Sequence, residues 1–473
     1  MSAFLLLVGG IVALWAFYNF VYKRWGLPPG PTPWPIMGNL MELEKTERYE
    51  WRFVEWKQKY GGIFTWWLGE TPIVTVADYK LAQEMFVKDG DTYAQRIGGG
   101  QLQRRLRGDS PAAISGIFFA EGASSSFSPL WKDQRQFILR VLRNFGLGRN
   151  EMELRIMDEV YHLVETVEEA IGGRFDANNN EVKKAVDGVI EQTAADEEVE
   201  EIDFHRFTDL AVGSVINSLL FSYRYTEDGR EAEFRQYKRM ATRVIATFSE
   251  PLMGMALFND TIAALIRPFM TKHMSEPFEE VFEFLDRNIE KHVAGLHVDV
   301  EAEPRNFVEA FVAEKLRLET AGDDRARFYT LKQLRNVCFD LWIAGQESSS
   351  SAITWCVAYL IRNPDVQRRL HDELDAKAGG GRWISVNDRT ALVYTNAVIL
   401  ETLRCCNLLT NGNLRRTNRG VVVNGFRIPK DTCCYCQFAT IHSDPAVFED
   451  PRAFRPERAV FVPHSSSILT CFV

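Results

Sequence analysis

The first 337 residues of this 473-residue chain contain no cysteine. A disulfide framework would be spread along the chain, so the absence indicates reduced thiols in the cytosol rather than a secreted, cross-linked protein. The run from Cys433 to Cys436 resembles part of a zinc site, but no second Cys/His cluster stands at ligand spacing and His442 is alone. Zinc is therefore not expected. All eight cysteines come late, at Cys338, Cys356, Cys405, Cys406, Cys433, Cys434, Cys436 and Cys471.

The chain also lacks an excess of positive charge. Its 55 Lys and Arg against 64 Asp and Glu give a net charge of −9, with both signs mixed throughout. This balance argues against a nucleic-acid partner, because binding to phosphate backbones needs a basic surface. Apolar residues are abundant, at 46% with 32 Phe, and they suffice for a large core in one big domain or two.

Charge is absent altogether from Ala3 to Tyr22. About twenty uncharged residues is the length that a helix needs to cross a bilayer, and Trp15 and Tyr18 near its C-terminal end favour the membrane interface. Basic residues follow the run and none precedes it, so the sequence predicts an uncleaved transmembrane anchor with the rest of the protein in the cytosol. Five prolines between Leu27 and Leu40 then predict a stiff extended hinge; a ligand for an SH3-type domain is the alternative.

Two segments have the alternation and turn residues of β-hairpins, while most of the sequence has a helical period. Gly62 to Val76 is expected to turn at Gly69-Glu70, and Arg416 to Lys430 at Asn424-Gly425. Arg96 to Ser128, rich in Gly, Ser and Arg, is expected to be a long loop.

Trp131 to Leu147 has the pattern of an amphipathic helix with one apolar stripe and one basic side. Trp131 and Arg135 share a face one turn apart, which makes them candidates to hold an anionic group of a cofactor. The alternative interpretation is a solvated basic face without a ligand.

Leu331 to Ile361 predicts one long helix, apolar on nearly every side and therefore inside a large core. Gly345, Glu347 and Ser348 lie at its centre, where glycine and serine are expected to interrupt the helix. One interpretation is a groove for dioxygen and water, in which Glu347 and Ser348 form a proton relay. The other is a strained helix whose serines bond carbonyl groups one turn back.

Glu401 and Arg404 stand at i,i+3 in an apolar segment, so the pair is expected to be buried. A buried ion pair is tolerated only when its remaining donors and acceptors are satisfied. We therefore expect a third member, an arginine from the segment Phe454 to Arg458.

In this order, these features resemble a microsomal cytochrome P450 of the animal type. The resemblance is carried by the anchor, the proline hinge and four motifs: Trp131 with Arg135, Ala344-Gly345-Gln346-Glu347-Ser348, Glu401 with Arg404, and Phe454-Arg455-Pro456-Glu457-Arg458.

The resemblance implies a mainly α fold with small β-sheets, preceded by a transmembrane helix. It divides the chain into an anchor at 1–22, a basic and proline-rich hinge at 23–40 and a catalytic domain at 41–473. It implies heme b as the cofactor, with Glu347 and Ser348 as catalytic residues and Glu401, Arg404, Phe454, Pro456 and Arg458 as a structural network. The residues that it assigns to heme binding are Trp131, Arg135, Gly345, Arg416 and Cys471, the last as the axial ligand of the iron.

The implied activity is insertion of one oxygen atom from dioxygen into a small apolar substrate, such as a xenobiotic, a lipid or a steroid-like compound. Electrons would come from NADPH through a membrane-bound reductase, with cytochrome b5 as a further partner. The implied location is the endoplasmic reticulum membrane, with the catalytic domain facing the cytosol.

Two departures from the family pattern stand out. Serine replaces the usual threonine at Ser348, which keeps the hydroxyl group. The cysteine loop of the family has an aromatic residue, a glycine and a basic residue seven, four and two positions before its ligand, where this chain has His464, Ser467 and Leu469. The expectation is therefore a chain whose C-terminal part is missing. Besides a monooxygenase, two alternatives stay open: a heme-free, inactive P450, and a membrane-tethered protein that only binds apolar ligands.

Overall fold

The structure is a computed structural model that describes residues 2–44, 48–96, 106–107, 116, 129–146, 150–170, 202–249, 251–258, 264–265, 275–294, 302–378 and 382–460. Most of these residues are helical. The helices are α1 (Ser2–Phe20), α2 (Leu40–Glu44), α3 (Tyr49–Tyr60), α4 (Tyr79–Ala82), α5 (Pro129–Asn144), α6 (Asn150–Ala170), α7 (Phe204–Phe221), α8 (Glu231–Ser249), α9 (Pro251–Phe258), α10 (Glu276–Ala294), α11 (Phe307–Thr320), α12 (Leu331–Arg362), α13 (Pro364–Ala378), α14 (Val393–Cys406), α15 (Phe438–His442) and α16 (Glu457–Val460).

Two small sheets accompany the helices, so the mainly α architecture expected from the resemblance is confirmed. The first has the strand order β1-β2-β7-β4-β3 and the second pairs β5 with β6. The strands are β1 (Ile63–Leu68), β2 (Thr71–Val76), β3 (Gln95–Arg96), β4 (Arg415–Arg416), β5 (Val421–Val423), β6 (Phe426–Ile428) and β7 (Cys433–Cys436).

Both predicted hairpins are present. Strands β1 and β2 are antiparallel, and the turn between them uses Gly69 at a φ of 60°. Strands β5 and β6 join through Asn424 and Gly425, whose φ angles are 50° and 83°. Positive φ at both central residues is what a tight type I′ turn requires, and Asn-Gly adopts it at low cost.

The largest core lies around the first half of α12. Leu334, Val337, Phe339 and Trp342 are fully buried there against the rings of α8, α10 and α11. Trp342 packs on Tyr237 of α8, with ring centroids 4.1 Å apart. Burying so many aromatic rings is the main stabilising contribution that this sequence offers.

The predicted interruption of α12 is wrong. The helix runs without a break for 32 residues, about 48 Å. Its serines do not open it, because Ser348 and Ser350 donate their hydroxyls to the carbonyls of Ala344 and Gln346, at 2.6 and 3.0 Å. A hydroxyl can bond a carbonyl in this way while the backbone bond stays in place, so the helix need not widen.

The prediction that α12 is buried on nearly every side is only half right. After its midpoint the helix becomes partly exposed: Ile353 and Trp355 keep 41% and 46% of their accessible surface. The apolar pattern alone cannot distinguish a helix surrounded by protein from one with an open apolar flank.

At the N-terminus, α1 is a 19-residue helix without acidic or basic residues at its ends. Within the part of the chain that the structure describes, no helix meets the length and hydropathy needed to cross a membrane. The expected transmembrane character of this segment is therefore not confirmed. The prolines that follow keep the chain non-helical from Pro28 to Pro33, and the amide of Thr65 in β1 bonds Pro29 O at 3.0 Å.

Candidate functional site

The centre of α12 lies against α7 across two glycines. A methyl group at Gly345 would come within 2.9 Å of Ile216, and one at Gly213 of α7 would overlap the ring of Phe234. The close approach also brings Gln346 into the interface, where it is fully buried and donates to Asp209 O at 2.8 Å. The two helices are thereby fixed in register at the position of the motif.

Ser348 is exposed, as is Ala344 one turn before it. Its hydroxyl donates to Ala344 O at 2.6 Å, so its oxygen still has acceptor capacity toward anything above the helix. Ser349 beside it is exposed as well. The structure therefore has accessible hydroxyls next to Glu347 on α12, as a proton relay needs.

Glu347 is held by an ion pair that the sequence did not reveal. Its carboxylate lies 2.6 Å from the ammonium of Lys238 on α8, and the same ammonium lies 3.0 Å from Asp209 on α7. Asp209 in turn lies 3.6 Å from His205, whose other ring nitrogen is 3.0 Å from the hydroxyl of Thr354. One lysine therefore joins two carboxylates, and the chain of polar groups leads from Glu347 to a half-exposed histidine.

Trp131 and Arg135 lie together on α5, as their spacing predicted. The guanidinium of Arg135 sits over the Trp131 ring, 5.7 Å from its centroid. Among the described residues no acid forms an ion pair with Arg135, which is exposed. A cation without an acidic partner, oriented by an aromatic ring, is suited to binding an anionic ligand.

Strand β4 presents Arg415 and Arg416 to opposite faces of the sheet. Arg416 faces Cys433, and its Nε is buried without a hydrogen-bond partner. Arg415 lies over Phe86, and burial lowers the pKa of its guanidinium. In the described part of the chain neither arginine is paired with an acid. The family resemblance pointed to Arg416 alone, and nothing in the sequence indicated that Arg415 would also lack an acidic partner.

Heme b carries two propionates on its edge and needs cations there. Arg135, Arg415 and Arg416 have no acidic partner within the described residues, and one of them has an orphaned buried nitrogen. These groups fit the acidic edge of a heme. No described hydrogen bond or ring contact joins them to each other or to Ser348, so a ligand would have to bridge them.

The expected ligand of the heme iron is a cysteine thiolate, so the cysteines are the candidates. Burial raises the pKa of each of the seven described cysteines, and so favours the neutral thiol. Three of them lie on β7: Cys433 packs in one hydrophobic cluster, and Cys434 and Cys436 pack in another. No group of three or more potential metal ligands occurs among the described residues. Cys471 lies outside the described residues.

The buried ion pair of α14 has the third member that was expected. Arg404 donates to both oxygens of Glu401, each at 2.8 Å, and Arg458 donates to the same carboxylate at 3.3 Å. The backbone amide of Arg455 adds a bond of 2.9 Å. Burial acts to lower the pKa of Arg404, but the bonds to Glu401 outweigh it and leave that pKa raised. Arg404 therefore stays charged inside the protein.

Arg404 also fastens the segment that follows α15. Its guanidinium donates to His442 O at 3.0 Å and to Pro451 O at 2.9 Å. Phe454 stacks on Tyr359 of α12, with centroids 4.7 Å apart and planes almost parallel. Pro456 is buried in the turn that leads into α16. The network thus ties residues 442–458 to α14 and to the second half of α12.

A long helix that carries an acid and a hydroxyl, and cations elsewhere in the fold that suit the propionates of a heme, together indicate a heme-dependent monooxygenase, which is an oxidoreductase. A sequence model of the cytochrome P450 family matches residues 28–459. The chain therefore belongs to the cytochrome P450 family.

Curated relatives agree with this assignment. Mouse cytochrome P450 2J5 is 27% identical over 440 residues, which cover 91% of this chain and 76% of the mouse protein. A probable cytochrome P450 of Caenorhabditis elegans, CYP36A1, is 28% identical over 451 residues, covering 95% of this chain and 82% of the worm protein. Rat cytochrome P450 2G1 is 27% identical over 433 residues, with 91% and 77% covered.

Proposed function

We propose that this protein inserts one oxygen atom from dioxygen into a small apolar organic substrate, with electrons from an NADPH-dependent reductase. The observation that carries the proposal is the exposed hydroxyl of Ser348 next to the partly exposed carboxylate of Glu347 on α12. The bound heme supplies the activation of dioxygen. Its propionates would be held by Arg135 and by one of the two arginines on opposite faces of β4, Arg415 or Arg416, and its iron by Cys471.

Glu347 and Ser348 would then handle protons. Ser348 can accept a hydrogen bond while it donates to Ala344 O, so it can orient a water molecule above the helix. Glu347 is 34% exposed and is engaged by Lys238 at 2.6 Å, so it must rotate away from that lysine to pass a proton on. We expect Lys238 and Asp209 to control how often the Glu347 carboxylate leaves its ion pair with Lys238.

The surroundings support a membrane-associated enzyme with a redox partner. Lys132 and Arg143 are exposed on α5, and such a basic face suits the docking of an acidic electron donor, a flavoprotein reductase or cytochrome b5. The uncharged helix α1, with Trp15 and Phe17 exposed, would attach the chain to the endoplasmic reticulum membrane with the catalytic domain in the cytosol. Deleting residues 2–20 should then move the protein from the microsomal pellet to the supernatant.

The test of the cofactor is the absorption spectrum of the reduced, carbon-monoxide-bound protein. A thiolate-type Soret band is expected in the wild type and should be lost in Cys471→Ser. The control is Cys406→Ser, in which a hydroxyl can keep the bond that the Cys406 thiol makes to Leu403 O. A folded wild type without bound heme would refute the proposal and favour the heme-free alternative.

The test of the proton relay compares two neighbouring serines. Ser348→Ala should reduce the product formed per NADPH consumed on the order of 10²-fold, the usual contribution of a positioned proton donor. Ser349→Ala removes an equally exposed hydroxyl and should leave this ratio unchanged. The readout is turnover of fluorogenic alkoxy-aromatic ethers with purified reductase; equal losses in both variants would contradict the assigned role.

A further inference from the structure

A second cleft lies away from the centre of α12, between the C-terminal end of α7, the helices α8 and α10, and the start of α11. Its volume is about 730 Å³. Four cationic side chains and two acidic ones line it, a local excess of two positive charges (4 − 2) in a chain of net charge −9. The cations are Arg230, Arg287, Lys291 and Arg305, and the acids are Glu233 and Glu309.

Both acids already have partners. Arg305 pairs with Glu309 at 2.5 Å and also gives it its backbone amide at 2.8 Å. Glu233 accepts from the hydroxyl of Tyr223 at 2.9 Å and lies 3.8 Å from Arg230. These contacts leave the carboxylates of the cleft little capacity to neutralise further cations.

Two cations remain. Arg287 and Lys291 are one turn apart on α10, and neither forms an ion pair within the described residues. The only described bond of the Arg287 guanidinium is from Nε to Glu283 O at 3.3 Å. Side chains at i and i+4 lie about 6 Å apart, a distance that one polyatomic anion can bridge.

Asn288 adds a buried hydrogen-bond donor to the two cations. Asn288 is 9% exposed, lines the cleft between these two cations, and its amide nitrogen has no hydrogen-bond partner. A buried N–H donor without a partner is costly and needs a reason. The polar groups opposite are satisfied, since Asn306 donates to Ser222 and His292 donates to Phe221 O. Among the described residues of the cleft, Asn288 Nδ2 has no acceptor.

We propose that this cleft binds a phosphate-bearing anion. A phosphate group carries more than one negative charge and enough oxygens to accept from Arg287, Lys291 and Asn288 together. A lone carboxylate, with one charge, would leave one of the two cations uncompensated. The site is distinct from the proposed heme site and does not depend on heme binding.

The experiment is calorimetric titration of the full-length protein with inorganic pyrophosphate. Saturable binding with one site is expected, and Arg287→Gln and Lys291→Gln should each weaken it at least about tenfold. The control is Lys430→Gln, which removes an exposed cation from the hairpin at Asn424-Gly425 and should change nothing. Binding that survives both cleft substitutions would overturn the proposal.

Asn288→Leu separates a ligand-binding role from a structural one. The amide nitrogen has no partner in the free protein, so the variant should unfold at an equal or higher temperature while binding pyrophosphate at least about tenfold more weakly. A variant that loses stability and keeps its affinity would show that Asn288 belongs to the packing of α10.

Vesicles of phosphatidylcholine, with and without phosphatidylinositol 4-phosphate, distinguish the two sources of the phosphate. If sedimentation with vesicles depends on the phosphoinositide and falls in Lys291→Gln, the ligand is a lipid headgroup. If only pyrophosphate binds, the ligand is a soluble phosphate compound. If neither binds, the proposal is refuted.

Discussion

Replacing Glu401 by glutamine should be among the most destabilising single changes in this protein. Glutamine has nearly the same shape, so the change opens no cavity and removes only charge. Glu401 is completely buried and accepts from Arg404 twice, from Arg455 and from Arg458. Without that negative charge, Arg404 is left as a buried cation that contacts only neutral groups: backbone carbonyls, the Cys405 thiol, the Phe448 ring and the new amide.

The magnitude follows from that burial. Removing one partner of a buried ion pair typically costs about 3–5 kcal/mol, because the remaining charge has lost its solvation and its counter-charge together. The matched control is Asp365→Asn, since Asp365 pairs with Arg368 at the same i,i+3 spacing but with side chains 91% and 61% exposed. Such an exposed pair contributes about 0.5 kcal/mol or less.

The assay is urea unfolding followed by tryptophan fluorescence, with each variant compared with the wild type at the same detergent and salt concentrations. Glu401→Gln should shift the midpoint several times further than Asp365→Asn. If Glu401→Gln costs less than about 1 kcal/mol, or no more than the control, then the interior around Glu401 does not hold an obligatory ion pair and the reasoning fails.

Three further outcomes are expected. Burial and the nearby Arg404 lower the pKa of His442 from an ordinary 6.5 to about 4, so the unfolded chain binds a proton that the folded one does not. The free energy of unfolding should therefore fall by about 3 kcal/mol as the pH drops from about 6.5 to 4, and His442→Phe should lack this fall. If urea unfolding gives the same pH dependence for the wild type and the variant, the assignment to His442 is wrong. Gly213→Ala should cost about 1–3 kcal/mol, because the new methyl group meets the ring of Phe234. Gly345→Ala should be nearly neutral, since it meets only the flexible end of Ile216 and gains helix propensity; equal unfolding midpoints for the two alanine variants would show that the helix interface adapts.

The sequence by itself determined the features that depend on neighbours along the chain. The hairpin at Asn424-Gly425 follows from two residues that tolerate positive φ. The Glu401–Arg404 pair follows from the i,i+3 spacing in an apolar segment, and so does the need for an arginine near Arg458. These are local rules, and tertiary packing has little freedom to change their result.

Only the tertiary structure decided which groups meet across the fold. Gln346 bonds Asp209 from 137 positions away, and Lys238 engages Glu347 because α8 packs against the centre of α12, as the contact of Tyr237 with Trp342 shows. The structure also shows that α12 is continuous where its composition predicted a break, and that Arg415 and Arg416 point to opposite faces of the sheet. Charges and hydroxyls are visible in a sequence, but their partners are set by distances between helices, which no local pattern encodes.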